Sequence, residues 1–372
     1  MTQTPKYRLL RLCCFAIWGG MLVVGLWPFN FFPRNKVEWL GNKNGIRFDW
    51  DGQVYSADQL TGWEMESGTH QMSSLSIEMW LLPSDKTYRW FSVILAMYDP
   101  ARRENFTIAQ YQHDLELRGR LRDHDNHARF GKMWVDDILQ KGRERFVTVT
   151  SGPQGTAIYL EAVREKLYPH LTLTADNFSG QLLVGHSPAE RNPWAGELLG
   201  LAIYNKALTA DEVSQHYKAW SKTSLAELAT NKGILALYPF DERAGDLIHN
   251  HADSGPNLVI PRRFYILHRR ILAPSFKLHR SDLGDVAINI LGFIPFGLFV
   301  SAYLYTAARL PRYRAVLLTV VIGGMTSLTI EFLQAYLPSR DSSLMDVINN
   351  VLGTTMGAML LKPTLLLARL VR

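Results

Sequence analysis

Apolar residues in this chain are segregated to its two ends, and that limits the fold more than any other feature. The first run, "LCCFAIWGGMLVVGLWPFNFF" (residues 12–32), follows Lys6, Arg8 and Arg11. Three more lie at about 283–305, 315–337 and 345–361. Each approaches the roughly 20 residues a helix needs to cross the hydrocarbon core of a bilayer. No small-x-small cleavage site follows the first run, so it reads as an uncleaved anchor rather than a secretory leader. Trp27, Phe29, Phe31 and Phe32 suit an aromatic interface belt. The overall composition, 47% hydrophobic and 20% charged, looks soluble only because a polar mixture separates the runs.

The net charge of +6 is concentrated beside the apolar runs. Membrane lipids, not nucleic acid, are therefore the expected partner. The two cysteines, Cys13 and Cys14, are adjacent and cannot staple a distant loop. Basic flanks set an expected orientation: Lys6, Arg8 and Arg11, then Arg309, Arg312 and Arg314, then Arg369 and Arg372 belong on the cytoplasmic side. One crossing, an external region and three more crossings satisfy all of these, with both termini cytoplasmic. The basic segment 262–280 falls on the outer side of that scheme. Arg269, Arg270 and Arg280 in it are candidates for contact with anionic head groups, a plain linker being the alternative. The expected division is an anchor (1–36), a sandwich (37–261), a juxtamembrane segment (262–282) and a helical region (283–372).

The middle of the chain reads as β. Short runs such as "GIRFDWDGQVYSA", "FSVILAMY", "FTIAQY" and "RFVTVTSG" are separated by Gly, Pro, Asp and Ser, as in an antiparallel sandwich. Alternation over residues 146–150 predicts one face turned inward and one toward solvent. In "ALTADEVSQHY", Thr209 with Glu212 three residues on forms a capping box.

The greasy C-terminal region contains nearly the same word twice, "DVAINILG" (285–292) and "DVINNVLG" (346–353). At about 100° per residue, Asp285, Asn289, Gly292 and Phe296 share one helical stripe. Asp346, Asn350, Gly353 and Gly357 share another. With a single span between them, the two helices should run in the same direction, as an internal repeat. The intervening span brings Glu331 and Gln334, with Ser327 a turn earlier. "IPFG" (294–297), with Pro295, Phe296 and Gly297, is expected to break the first repeat helix. Gly353 and Gly357 make a small-xxx-small face. An acid in a membrane needs a partner or a proton, and Arg280 and Arg340 stand close in sequence. Two readings stay open: a polar clamp between helices, or a polar site opening toward the outer leaflet.

Two resemblances add to this. "LSIEMWLLPSD", "FVTVTSGPQGTAIYLEAV" and "FSGQLLVGHSPAERNPWAGELLGLAIYNKALTADEVSQHY" resemble the laminin-G/concanavalin-like jelly-roll family over about 37–220. "ALYPFDERAGDLIHNHADSGPNLVIP" (236–261) looks like that family's opening strand displaced to the end, and is expected to fold back as an edge strand. The resemblance implies binding of a glycan, cell-envelope polymer or protein. It also admits calcium, for which Asp49, Asp51, Asp99, Asp123 and Asp125 could supply oxygens; turn chemistry is their other use. Trp134 or Trp194 could stack on a sugar or pack in the sandwich. No carboxylate pair suits a glycoside hydrolase. The membrane words resemble the VanZ family, named for low-level resistance to the glycopeptide teicoplanin. That likeness marks Asp285, Asn289, Pro295, Phe296, Gly297, Glu331, Gln334, Arg340, Asp346, Asn350, Gly353 and Gly357.

The expected fold is therefore an antiparallel β-sandwich inserted into a small all-α transmembrane bundle. The expected function is a non-catalytic protein of the bacterial cytoplasmic membrane, its sandwich outside. The alternative is an intramembrane enzyme acting on a lipid-linked or phosphorylated envelope precursor. No P-loop, H-E-x-x-H, G-x-S-x-G or C-x-x-C motif supports the enzyme. No cofactor beyond that calcium is expected, and the oligomeric state is open.

Overall fold

A computed structural model describes residues 5–60, 74–84, 91–99, 103–122, 128–173, 175–178, 180–187, 193–222, 225–266, 271–274 and 282–361. The chain divides into two compact units, Phe32–His268 and Met1–Phe31 with Arg269–Arg372.

The first unit is built from short extended segments. In chain order they are β1 (Val37–Trp39), β2 (Ile46–Phe48), β3 (Val54–Ser56), β4 (Leu75–Pro83), β5 (Phe91–Asp99), β6 (Arg103–Tyr111), β7 (Asp114–Arg122) and β8 (Ala128–Val135). There follow β9 (Arg145–Gly152), β10 (Gly155–Leu160), β11 (Val163–Tyr168), β12 (Gln181–Val184), β13 (Gly196–Tyr204), β14 (Ile234–Tyr238), β15 (Leu247–Ile248) and β16 (Leu258–Val259). One sheet has the order β1-β2-β13-β4-β9-β10-β11, with β14 also on β13; the other is β15-β16-β3-β12-β5-β6-β7-β8. All of these strand pairings are antiparallel. The inner faces meet in a core that includes Phe48, Ile77, Met79, Leu95, Phe106, Val149, Phe178 and Trp194.

Three details differ from the sequence pattern. The run "GIRFDWDGQVYSA" is two strands, β2 and β3, which join different sheets. The displaced tail serves both sheets as well: β14 pairs with β13, and β16 with β3. Every residue of β9 is buried, although its alternation predicted a solvent face. The physical reason is a helix pair, α2 (Ala210–Ser221) and α3 (Ala226–Ala229). Val213, Trp220 and Leu228 from it form a second apolar cluster with Phe146, Tyr159 and Tyr204 on the outer face of the sheet. Thr209 caps α2, and the Glu212 carboxylate accepts the Thr209 backbone N–H at 2.8 Å.

Under α2, Glu78 of β4 is completely buried. Its carboxylate accepts from Tyr204 Oη at 2.9 Å and Trp220 Nε1 at 3.1 Å, and meets His216 Nδ1 at 2.9 Å. Burial, and then the neighbouring Glu78 charge, push the Tyr204 hydroxyl well above its ordinary pKa. Three partners satisfy a group that would otherwise be costly to bury.

The second unit contains α1 (Pro5–Leu26), α4 (Asp282–Thr306), α5 (Arg312–Gln334) and α6 (Leu344–Met359). Among the described residues, three stretches, Tyr7–Leu26, Gly284–Thr306 and Arg312–Gln334, are long and apolar enough to cross a membrane. The described part of α6 has 16 residues. The polarity of this unit is inverted relative to a soluble protein. Leu12, Phe15, Val24, Leu291, Leu317, Met325 and Leu352 are exposed, while Thr319, Ser327, Glu331, Asn350 and Thr354 are buried. Polar groups inside and apolar groups outside are what a lipid solvent demands. The expected break at Pro295 is not found: α4 runs through it. A proline removes one N–H and displaces one carbonyl; the packing of neighbouring helices carries the remaining turns.

Candidate functional site

The repeated words lie on α4 and α6, which pack backbone to backbone. A Cβ on Gly353 would come within 2.2 Å of the Ile290 carbonyl oxygen, one on Gly357 within 2.0 Å of Ile294 O, and one on Gly297 within 2.1 Å of Thr354 O. The residue numbers rise together along both helices, so they run parallel, with α5 returning between them in sequence. Glycines are required where two backbones approach this closely. Phe296 is buried beside Phe293, with ring centroids 6.2 Å apart.

This geometry puts the start of α4, the end of α5 and the start of α6 at one end of the unit. Glu331, in the last turn of α5, is 2% exposed. Its Oε2 accepts the backbone N–H of Ser343 at 2.8 Å. Ser343 is the N-cap of α6, and its own side chain accepts from Met345 N. The carboxylate thus sits where the positive end of a helix dipole favours it. Half-buried Asp346, in the first turn of α6, has the Asn289 amide as a hydrogen-bond donor and the Asp285 carboxylate nearby. Asp285 itself is exposed, so the matched acids are not equally enclosed.

One turn inward, Asn350 Nδ2 donates to Ser327 Oγ at 2.9 Å and joins α6 to α5. Asn350 Oδ1 and Asn349 Nδ2 are buried with no hydrogen-bond partner. Gln334 Nε2 donates to the Gly25 carbonyl at 2.8 Å, and Arg340 Nε to the Trp27 carbonyl at 3.2 Å. These two side chains therefore tie α1 to the end of α5. Leu26, Phe293, Ile330 and Leu337 close the same end with apolar contact. The described juxtamembrane residues also reach this place: Leu272 N donates to Ser342 Oγ, and Ala273 N to Ser342 O, both at 3.0 Å. Arg269, Arg270 and Arg280 lie outside the described residues.

The cluster can do two things chemically. It clamps four helices through hydrogen bonds that no lipid can supply. It also leaves a donor and an acceptor, Asn349 Nδ2 and Asn350 Oδ1, with capacity for a polar group. The repeat pointed to Asn289 and Asn350. Asn349, Ser343 and Thr354 carried no comparable signal, because a cap and a buried amide are defined by the neighbouring helix.

The sandwich offers a different site. A groove of about 550 Å³ is lined by Lys36, Glu38, Arg47, Asp49, Leu82 and Glu197, among others. Its volume lies within the range typical of small-ligand sites. Arg47 Nη2 contacts Glu197 Oε1 at 2.7 Å and Lys43 Nζ contacts Glu197 Oε2 at 3.1 Å. Burial alone would raise the Glu197 carboxyl, but hydrogen bonds from Arg47 and Lys43 outweigh it and hold the group below its ordinary value. Of the calcium candidates, Asp51 pairs with Lys36 at 3.5 Å and Asp49 accepts from Trp50 N. The Asp99 backbone lies opposite that of residue 103 in the β5–β6 ladder, and Asp123 and Asp125 lie outside the described residues. Trp194 is fully buried, its Nε1 donating to Gln110 at 2.9 Å, so it packs rather than presenting a ring. Trp134 is 41% exposed, with Lys166 Nζ 4.7 Å from its ring centroid.

Comparison with known proteins gives two family matches, one after the other along the chain. Residues 57–214 match the family model of the concanavalin A-like lectin/glucanases superfamily, and residues 218–368 match that of VanZ/LLP1. The lectin-like match thus precedes the VanZ-like one. This corrects the expectation of a sandwich inserted within the VanZ-like region: the VanZ-like match begins after the lectin-like match ends and does not include α1. The first part of that match, which contains β14 to β16, is folded into the sandwich. Among solved structures, a provisionally assigned carbohydrate-binding protein from Bacteroides ovatus is 14% identical, covering 62% of each chain, with a TM-score of 0.40. A SAP-like pentraxin from Limulus polyphemus is 15% identical, covering 49% of this chain and 78% of that one, with a TM-score of 0.32. The receptor binding domain of botulinum neurotoxin D is 12% identical over 49% of this chain and 46% of that one, with a TM-score of 0.35. No curated protein matches in sequence.

Proposed function

We propose that this chain, which joins a concanavalin A-like lectin/glucanase domain to a VanZ-like domain, is a bacterial cell-envelope membrane protein. In this reading the sandwich binds a glycan on the outer side of the cytoplasmic membrane, and the helices hold the polar part of a lipid-linked envelope component. The observation that carries it is the groove on the sandwich. Its volume suits a short saccharide, and its charged side chains alternate donors and acceptors, as hydroxyl-rich ligands require. The helical half is supported by buried Glu331 and by the unpartnered amide atoms of Asn349 and Asn350. The orientation in this reading, with both termini cytoplasmic, is supported by the basic flanks. Any resistance phenotype rests on the VanZ resemblance alone.

The test uses the full chain in lipid nanodiscs against an array of envelope glycans. Binding that falls at least tenfold in Arg47→Ala supports the groove. No binding to any envelope glycan, or binding indifferent to Arg47→Ala and Glu197→Gln, overturns it. Mass spectrometry of co-purified lipid, compared between wild type and Asn350→Leu, tests the helical half. Turnover of a lipid-linked precursor that disappears in Glu331→Gln would replace binding by catalysis.

A further inference from the structure

A cluster outside both sites combines nitrogen and oxygen donors. One donor atom from each of Asp241, Glu242 and His251 lies within 4.8 Å of the others. His251 Nε2 is 3.5 Å from Asp241 Oδ1. Ligands at about 2.0–2.1 Å around a tetrahedral ion stand roughly 3.3 Å apart, so this pair is close to bridging distance.

The backbone around the cluster is held from several directions. Phe240, immediately before Asp241, is fully buried with φ of 51°. His249 and His251 flank Asn250, whose Oδ1 accepts from Leu237 N at 2.8 Å and Ala252 N at 3.0 Å, while its Nδ2 donates to Leu235 O. His251 N donates to Leu237 O at 2.8 Å. The side chains therefore project from a fixed frame, which lowers the entropic cost of gathering ligands.

A second, independent observation concerns Glu242. Its Oε1 is occupied by His249, accepting the backbone N–H at 2.5 Å and meeting Nδ1 at 3.2 Å. Its Oε2 is buried and has no partner. A buried carboxylate oxygen without a donor calls for a cation or a water.

We propose that Asp241, Glu242 and His251 bind a divalent transition-metal ion of the zinc class, with His249 orienting the Glu242 carboxylate. The imidazole decides the class: calcium takes six to eight oxygen ligands, whereas a mixed set of one nitrogen and two carboxylates with room for water suits zinc. His249 stands to Glu242 as outer-shell partners commonly stand to ligating groups. This site is independent of the glycan groove and of the helices.

The experiment uses the full, untagged chain in detergent, stripped with a chelator and titrated with cobalt(II), whose visible absorption reports coordination, and then with zinc(II). One equivalent of cobalt bound and displaced by zinc is expected. His251→Ala and Asp241→Asn should each weaken the affinity at least about tenfold, with melting curves in chelator like the wild type. If one variant fails to fold, the other carries the test. Absence of cobalt and zinc binding, variants that bind like the wild type, or displacement of cobalt by an equal concentration of calcium would each overturn the site.

Discussion

Gly292 and Gly353 hold the same place in the repeated word, yet substitution should separate them. A Cβ on Gly353 meets the Ile290 carbonyl oxygen at 2.2 Å and the Ile290 carbonyl carbon at 2.9 Å. Side-chain Cβ atoms essentially never come closer than 3.0 Å to another heavy atom, so α4 and α6 must part by most of an ångström. The obstruction is backbone and cannot rotate away. Overpacking of this kind costs about 1–3 kcal/mol, or roughly 5- to 150-fold in the unfolding equilibrium. A Cβ on Gly292 meets nothing within 4 Å. There alanine should be neutral, or stabilise by up to about 1 kcal/mol through helix propensity. Reversible unfolding of the full chain in mixed micelles, followed by far-ultraviolet circular dichroism, measures both. Equal effects of Gly292→Ala and Gly353→Ala would refute the parallel α4–α6 packing. Gly357→Ala should resemble Gly353→Ala, and the two together should be non-additive, because they share one interface.

Other consequences follow from the same structure. Glu78→Ala strands Tyr204 Oη and Trp220 Nε1 under α2, at about 1–3 kcal/mol for each group left unsatisfied; an unchanged melting temperature of the sandwich would contradict this. Glu331→Gln keeps an acceptor for Ser343 N, whereas Glu331→Leu removes it. The leucine variant should therefore lose about 1–3 kcal/mol while glutamine stays near wild type, as read from detergent melts. Glu197 is held below its ordinary value near 4.5, so its contribution is present above that pH and fades as pH falls through the lowered folded value. Lys43 is raised above 10.5: burial opposes this, but hydrogen bonds to Glu144 and Glu197 prevail. Its contribution is full below that pH and is lost as pH rises through the folded value. Glu197→Gln should flatten the acid limb of a melting temperature–pH profile; an identical acid limb would show that the contacts of Glu197 with Arg47 and Lys43 do not couple to folding.

Local chemistry settled a good deal here. Segregated apolar runs, period-two strands and the Thr209–Glu212 cap follow from rules that act over a few residues, and all are legible in the amino-acid order. So is the parallel course of α4 and α6, since two copies of one word separated by a single span must point the same way. What covers a given face is a property of distant chain, and that was decided only by packing. The alternation of β9 predicted solvent on one side because nothing in residues 146–150 announces α2. Pro295 suggested a break because the local rule sees the lost N–H and not the helices that hold α4 together. The repeat treated Asp285 and Asp346, or Gly292 and Gly353, as equivalents. One member of each pair meets a neighbouring helix and the other faces outward, because a single α5 cannot lie in the same relation to both copies. The buried Asn349, the Ser343 cap beneath Glu331 and the Asp241–Glu242–His251 cluster belong to the same category: each exists only where separate segments converge.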